Sequence, residues 1–159
     1  MYFHGLLPNG DQETRLSVSS DGINFDVQEP LLGPPYFRAF KRDDCVYTVA
    51  WGGSLWRANN WHLPFIEGPQ LIHYDPKEGI GEGFRHGETF VVDDSLFILF
   101  TRMGDAPERL LYCEVPMEGD WQSWQAGPTQ ELLARELDWE GADLPVKVST
   151  MGAGGVSVG

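Results

Sequence analysis

The chain repeats itself. Phe40-Lys41-Arg42-Asp43-Asp44-Cys45-Val46-Tyr47-Thr48-Val49 aligns with Phe90-Val91-Val92-Asp93-Asp94-Ser95-Leu96-Phe97-Ile98-Leu99. Each stretch reads as a strand, a tight Asp-Asp turn and a second strand rich in β-branched and aromatic residues. The order after each hairpin also recurs. A third strand follows at Ser54-Leu55-Trp56-Arg57 or Glu108-Arg109-Leu110-Leu111-Tyr112, then an aromatic (Phe65, Trp124), then an apolar pair behind Gly-Pro (Leu71-Ile72, Leu132-Leu133) in a fourth strand. The N-terminal segment carries the same back half, with Thr14 to Val18, then Phe25, then Leu31-Leu32. Self-similarity at roughly 40–55 residues, with four short strands per unit, marks propeller blades, whose apolar faces are covered only by stacking on one another. The expected fold is all-β, an arc of about three four-stranded blades in a single domain over 1–159. The blades fall at about 1–33, 36–72 and 84–133, and 134–159 is loop and glycine-rich tail.

Turn residues punctuate the units. Pro8-Asn9-Gly10-Asp11 ends a first strand, and Asp21-Gly22 turns the chain after a second that runs from Gln12 to Ser19, with Phe25 packing back on the sheet. Gly33-Pro34-Pro35 separates the first unit from the next, since prolines cannot join a central ladder. His73 to Gly83 is a polar linker on a rim. Val146 to Met151 reads as one further strand. The glycines of 151–159 resemble a phosphate loop only superficially, because neither a lysine nor a helix follows. Propellers close radially to protect their edge strands. An arc of three blades therefore implies either a piece of a longer protein or a ring built from more than one chain. The simplest assembly is a two-fold homodimer that closes six blades.

Composition narrows the partners. A net charge of −13 repels a phosphate backbone, which excludes nucleic acid. No apolar run reaches the length of a membrane span, and the N-terminus lacks a secretory pattern, which favours the cytoplasm. The aromatic share of 13% suits both stacked sheets and the faces on which sugar rings stack. Cys45 and Cys113 lie in strands of different repeats and read as free thiols without a zinc site. Neither a Gly-x-Ser-x-Gly elbow nor a cofactor motif is present. The paired aspartates at 43–44 and 93–94 are explained as turns, and calcium would need more oxygen ligands, so no metal is expected.

Ser19-Ser20-Asp21-Gly22-Ile23-Asn24-Phe25, Tyr36-Phe37-Arg38, Phe100-Thr101-Arg102 with Gly104-Asp105-Ala106-Pro107-Glu108-Arg109, and Asp138-Trp139-Glu140-Gly141-Ala142-Asp143 resemble segments of five-bladed propellers. The family in question is the family-43-like glycoside hydrolases, the arabinanase and β-xylosidase group. The resemblance implies the propeller fold and a carbohydrate ligand. The chain is about half the length usual there and begins after the blade that usually holds the general base.

Glycoside hydrolysis needs two carboxyl groups facing each other across a pocket. In a propeller they come from the innermost strands, here Tyr36 to Phe40, Phe84 to Val91 and Val146 to Met151. Glu88 is the carboxylate on these strands and the acid candidate, with His86 on the same strand face. The alternative is a structural ion pair of Glu88 with Arg38 or Arg85. A second carboxylate would have to reach in from a loop, with Asp105 the first choice and Glu140 or Asp143 behind it. Arg38, Trp51, Arg85, His86 and Arg102 are the candidate substrate contacts. Arg102, Asp105, Glu108 and Arg109 could instead brace neighbouring blades. With one inward carboxylate the chain holds at best half a catalytic site. A sugar- or protein-binding module without catalysis, or an oligomerising half-ring, are the other readings.

Overall fold

Short β-branched and aromatic runs joined by tight turns fold back on themselves as antiparallel meanders. A computed structural model describes residues 1–73 and 83–149, and in them the chain is all-β, with three antiparallel sheets formed in sequence order. The first sheet contains β1 (Tyr2–Leu6), β2 (Gln12–Val18) and β3 (Asp26–Val27). The second contains β4 (Arg38–Arg42), β5 (Cys45–Val49), β6 (Ser54–Ala58) and β7 (Ile66–Gln70). The third contains β8 (Phe84–Val92), β9 (Ser95–Arg102), β10 (Leu110–Pro116) and β11 (Gln130–Leu133).

The repeat is visible in the backbone. Arg42 pairs with Cys45 across one Asp-Asp turn, and Val92 pairs with Ser95 across the other. Asp43 and Asp93 take φ of 51° and 52°, the left-handed region that aspartate tolerates. Phe65 and Trp124, aligned by the repeat, are both buried.

The second sheet is the middle layer. Tyr47, Val49 and Leu55 on one face join Leu96, Ile98, Phe100, Leu111, Cys113 and Val115 of the third sheet in one core cluster. Ala50 and Ala58, with Val46 and Trp56, pack on the other side with Leu16, Leu32, Phe37 and Phe65. Strand β9 shows the reason, since its alternating residues Leu96, Ile98 and Phe100 are buried and face the second sheet.

Several expectations change. The first sheet has three strands, one more than the two read in that segment, and Phe25 is 42% exposed because the added β3 is two residues long and offers it no wide sheet to pack on. Leu71 and Ile72 lie past the end of β7, where both amides donate to the Gly53 carbonyl and both side chains enter the core. Residues 146–148 form no strand, although Ser149 makes backbone bonds with Gly104 and Asp105. Met151, the glycine-rich tail and most of the 73–83 linker lie outside the described residues. Both cysteines are free, and burial pushes the Cys113 thiol up to about 11.

Leu55 and Ile98 are fully buried in the shared core, so truncating either to alanine is expected to cost about 2–5 kcal/mol in urea unfolding. The same change at Ile66, which is 65% exposed, should stay within about 0.5 kcal/mol. Equal losses at all three sites would refute the layered core.

Candidate functional site

Two regions compete for a functional role. The first is the seam where β4 meets β8. Arg38 donates through Nε to the Gly87 carbonyl, and Thr89 Oγ1 donates to the Arg38 carbonyl at 3.4 Å. Arg42 reaches the second Asp-Asp turn, with Nη2 3.0 Å from Asp94 Oδ1, and its guanidinium lies over the Trp124 ring. These contacts tie the second and third sheets together. Gly87 sits at a register shift in β8, where the ring of Phe84 presses against its Cα and leaves no room for a Cβ.

The expected acid follows that shift, paired in regular register with Leu99 on β9. Glu88 has a side chain 71% exposed, with Oε2 3.8 Å from Arg38 Nε and Oε1 accepting from the Thr89 amide. It stands in solvent rather than between apolar walls. His86 is exposed. Arg85 turns to the loop after β9, where Nη1 donates to Glu108 Oε2 at 3.0 Å and to Ser149 Oγ at 2.7 Å. Arg102 ends β9 opposite Phe84.

Asp105 is fully buried, with its carboxylate 3.5 Å from Arg109 Nη2 and neither oxygen accepting a hydrogen bond among the described residues. Arg109 also donates to Glu131 on β11 at 2.8 Å. The Glu131 hydrogen bond, then the Asp105 charge, raises the guanidinium pKa further. Glu108, Arg109 and Asp105 thus brace the β9–β10 loop within the third sheet. The remaining loop carboxylates are no nearer to a catalytic pair: Glu140 caps its own turn through the Glu136 and Leu137 amides, and Asp143 is exposed. Among the described residues no three His, Cys, Asp or Glu side chains group as metal ligands.

The second region is a cavity of about 700 Å³ walled by the first two sheets, within the size range of small-molecule sites. Trp51, Trp56 and Tyr36 supply its aromatic walls, the Gly33-Pro34-Pro35 hinge a third side, and Gly10 to Glu13 the polar rim. The sequence builds it locally. Trp51 opens a short 3-10 turn in which Gly52 and Gly53 take φ of 80° and 82°, and its amide donates to the Pro35 carbonyl at 2.9 Å. The ring is left 51% exposed. The Trp56 indole donates to Ser54 Oγ at 2.8 Å, so its polar atom is satisfied. Tyr36 follows two prolines with φ of 64°, an unusual angle for a bulky residue, and its ring lies 4.0 Å from that of His4. Of the expected contacts Trp51 lines this cavity, while Glu88, Asp105, Arg38, Arg85, His86 and Arg102 do not. Tyr36 and Trp56 were missed as site residues. For Tyr36 the signal was its place directly after the Gly33-Pro34-Pro35 hinge, read only as a separator; for Trp56 the sequence carried none.

No family model matches the chain. It is similar to uncharacterized protein R118 of Acanthamoeba polyphaga mimivirus, 34% identical over 156 residues that cover 91% of this chain and 44% of that protein. The chain thus spans less than half the length of the relative it matches. No solved structure matches it. These findings overturn the resemblance to family-43-like glycoside hydrolases. The motifs behind it have local explanations. Asp21 accepts from the Ile23 and Asn24 amides, the Asn24 side chain and Ser19, so Ser-x-Asp-Gly-x-x-Phe is a self-capped turn. Those bonds hold the Asp21 carboxyl well below its usual range. Gly-Asp-Ala-Pro-Glu-Arg is the braced β9–β10 loop.

Removing Arg109 leaves the Asp105 charge buried and unpaired, so Arg109→Met is expected to cost about 3 kcal/mol of stability. Glu88→Gln should change stability by less than about 0.5 kcal/mol, as its exposed pair with Arg38 is weak. Chemical denaturation of both variants checks the contrast, and reversed magnitudes would sink it.

Proposed function

We propose that the chain is a non-catalytic carbohydrate-binding module whose site is the cavity between the first two sheets. The observation that carries this reading is the set of three aromatic rings around about 700 Å³, with carboxylates and an amide on the rim. Aromatic faces stack on the C–H faces of sugars, while the Gln12 amide on the rim can accept from and donate to hydroxyls. Short neutral gluco- and xylo-oligosaccharides, titrated against tryptophan fluorescence, provide the test. The exposed Trp51 should report binding, and Trp51→Ala should weaken it at least about tenfold, the loss of one well-placed aromatic contact. Its melting temperature should barely change. An unchanged affinity in Trp51→Ala would overturn the reading.

Self-association of the arc is a second reading, favoured by apolar exposure at its far end. Leu133 is 63% exposed and Trp139 79%, and Leu144, Val146 and Val148, close by in sequence, are exposed as well. Covering such a face on the scale of standard interfaces, roughly 800 Å² per partner, suits a two-fold dimer. Light scattering is expected to give about twice the 17.8 kDa chain mass, and Trp139→Ser to lower it. A single-chain mass for the folded protein would exclude the dimer.

A further inference from the structure

The charges of the cavity carry its specificity further. Its lining includes two ionisable carboxylates, Asp11 and Glu13, and no lysine, arginine or histidine. Among the described residues neither carboxylate is in an ion pair. Asp11 is held in place, with Oδ2 accepting from Asn9 Nδ2 at 2.7 Å and its amide donating to Asn9 Oδ1 at 3.1 Å. Glu13 stands on β2, fixed by the ladder with β1 that pairs it with Gly5. The same cavity is lined by Trp51, Trp56 and Tyr36, aromatic rings whose quadrupoles attract positive charge over their faces. The surrounding field has the same sign, since the chain carries −13.

We infer that the cavity selects cationic sugars, namely amino sugars bearing a free ammonium group, over neutral and anionic ones. This rests on the sugar-binding reading of the same site. A uronate would bring a third carboxylate beside two that are in no ion pair among the described residues. A neutral sugar would leave both carboxylates to water. An ammonium on the ring would pair with them while the ring stacks on the aromatic wall. The volume suits a short oligosaccharide better than a lone ammonium headgroup.

The test compares a glucosamine tetramer with its fully N-acetylated counterpart, by calorimetric titration at a pH where the amines are protonated. The two differ in charge and share ring stereochemistry. The cationic tetramer is expected to bind about five- to tenfold tighter, the scale of two partly exposed ion pairs. That advantage should shrink as salt is raised. In an Asp11→Asn, Glu13→Gln double variant the advantage should vanish while affinity for the acetylated tetramer holds. Trp51→Ala should weaken both ligands.

Equal affinity for the two tetramers in the natural protein would overturn the selectivity and leave the sugar site standing. A cationic advantage that survives the double variant would assign it to the acidic surface at large and overturn the inference too. Binding of tetramethylammonium with no binding of either tetramer would overturn both the selectivity and the sugar reading, leaving a cation box.

Discussion

The second sheet buries both of its faces, and the rest of the molecule is arranged around that burial. Tyr47, Thr48 and Val49 are consecutive on β5 and all are buried, which a strand achieves only when it is covered on both sides. Each buried apolar side chain contributes on the order of 1.5–3 kcal/mol against the entropy of ordering the chain. The stacked rings of Tyr47 and Trp124, 5.2 Å apart, add directionality to the contact with the third sheet. Arg57 lies over both Tyr47 and Trp121, so its charge shields the outer margin of the layer without entering it. The seam at β4 and β8 then sets the sheets' relative positions through Arg38 and Arg42. Since Trp56 is on the middle sheet and Trp51 in the turn between its strands β5 and β6, the geometry of the aromatic cavity depends on this two-sided packing.

The repeat was legible because strand and turn chemistry are local. Asp43 and Asp93 announce the same turn in sequence and adopt the same backbone angle. The two-residue β3 was not legible, being too short for any periodic pattern, and it left Phe25 without the cover its alignment suggested. At Glu88 the period of two holds, with His86 and Glu88 together on one exposed face of β8, and the carboxylate stands 3.8 Å from Arg38, the ion pair that the charges of these strands also allowed. What a strand pattern alone does not tell is whether such a face meets solvent or a channel.

The cavity was least legible of all. Its walls come from the β1–β2 turn, the Gly-Pro-Pro hinge and the start of the second hairpin's return, segments that only tertiary packing brings together. The family resemblance erred in the opposite direction. It took short strings whose residues serve their own turn or loop, Asp21 in one and Asp105 with Arg109 in the other, as signs of shared ancestry. Any meander that must turn tightly and brace a loop has use for such strings.

Tyr36 has a consequence for how the first two sheets are joined. A left-handed conformation at a bulky residue costs about 1–3 kcal/mol, and the ring it presents is 40% exposed. Glycine or asparagine would relieve the backbone but give up the covered part of the ring and its contact with His4 on β1. The first sheet, which carries His4, therefore helps hold the Gly-Pro-Pro hinge at an angle that the hinge would not keep alone.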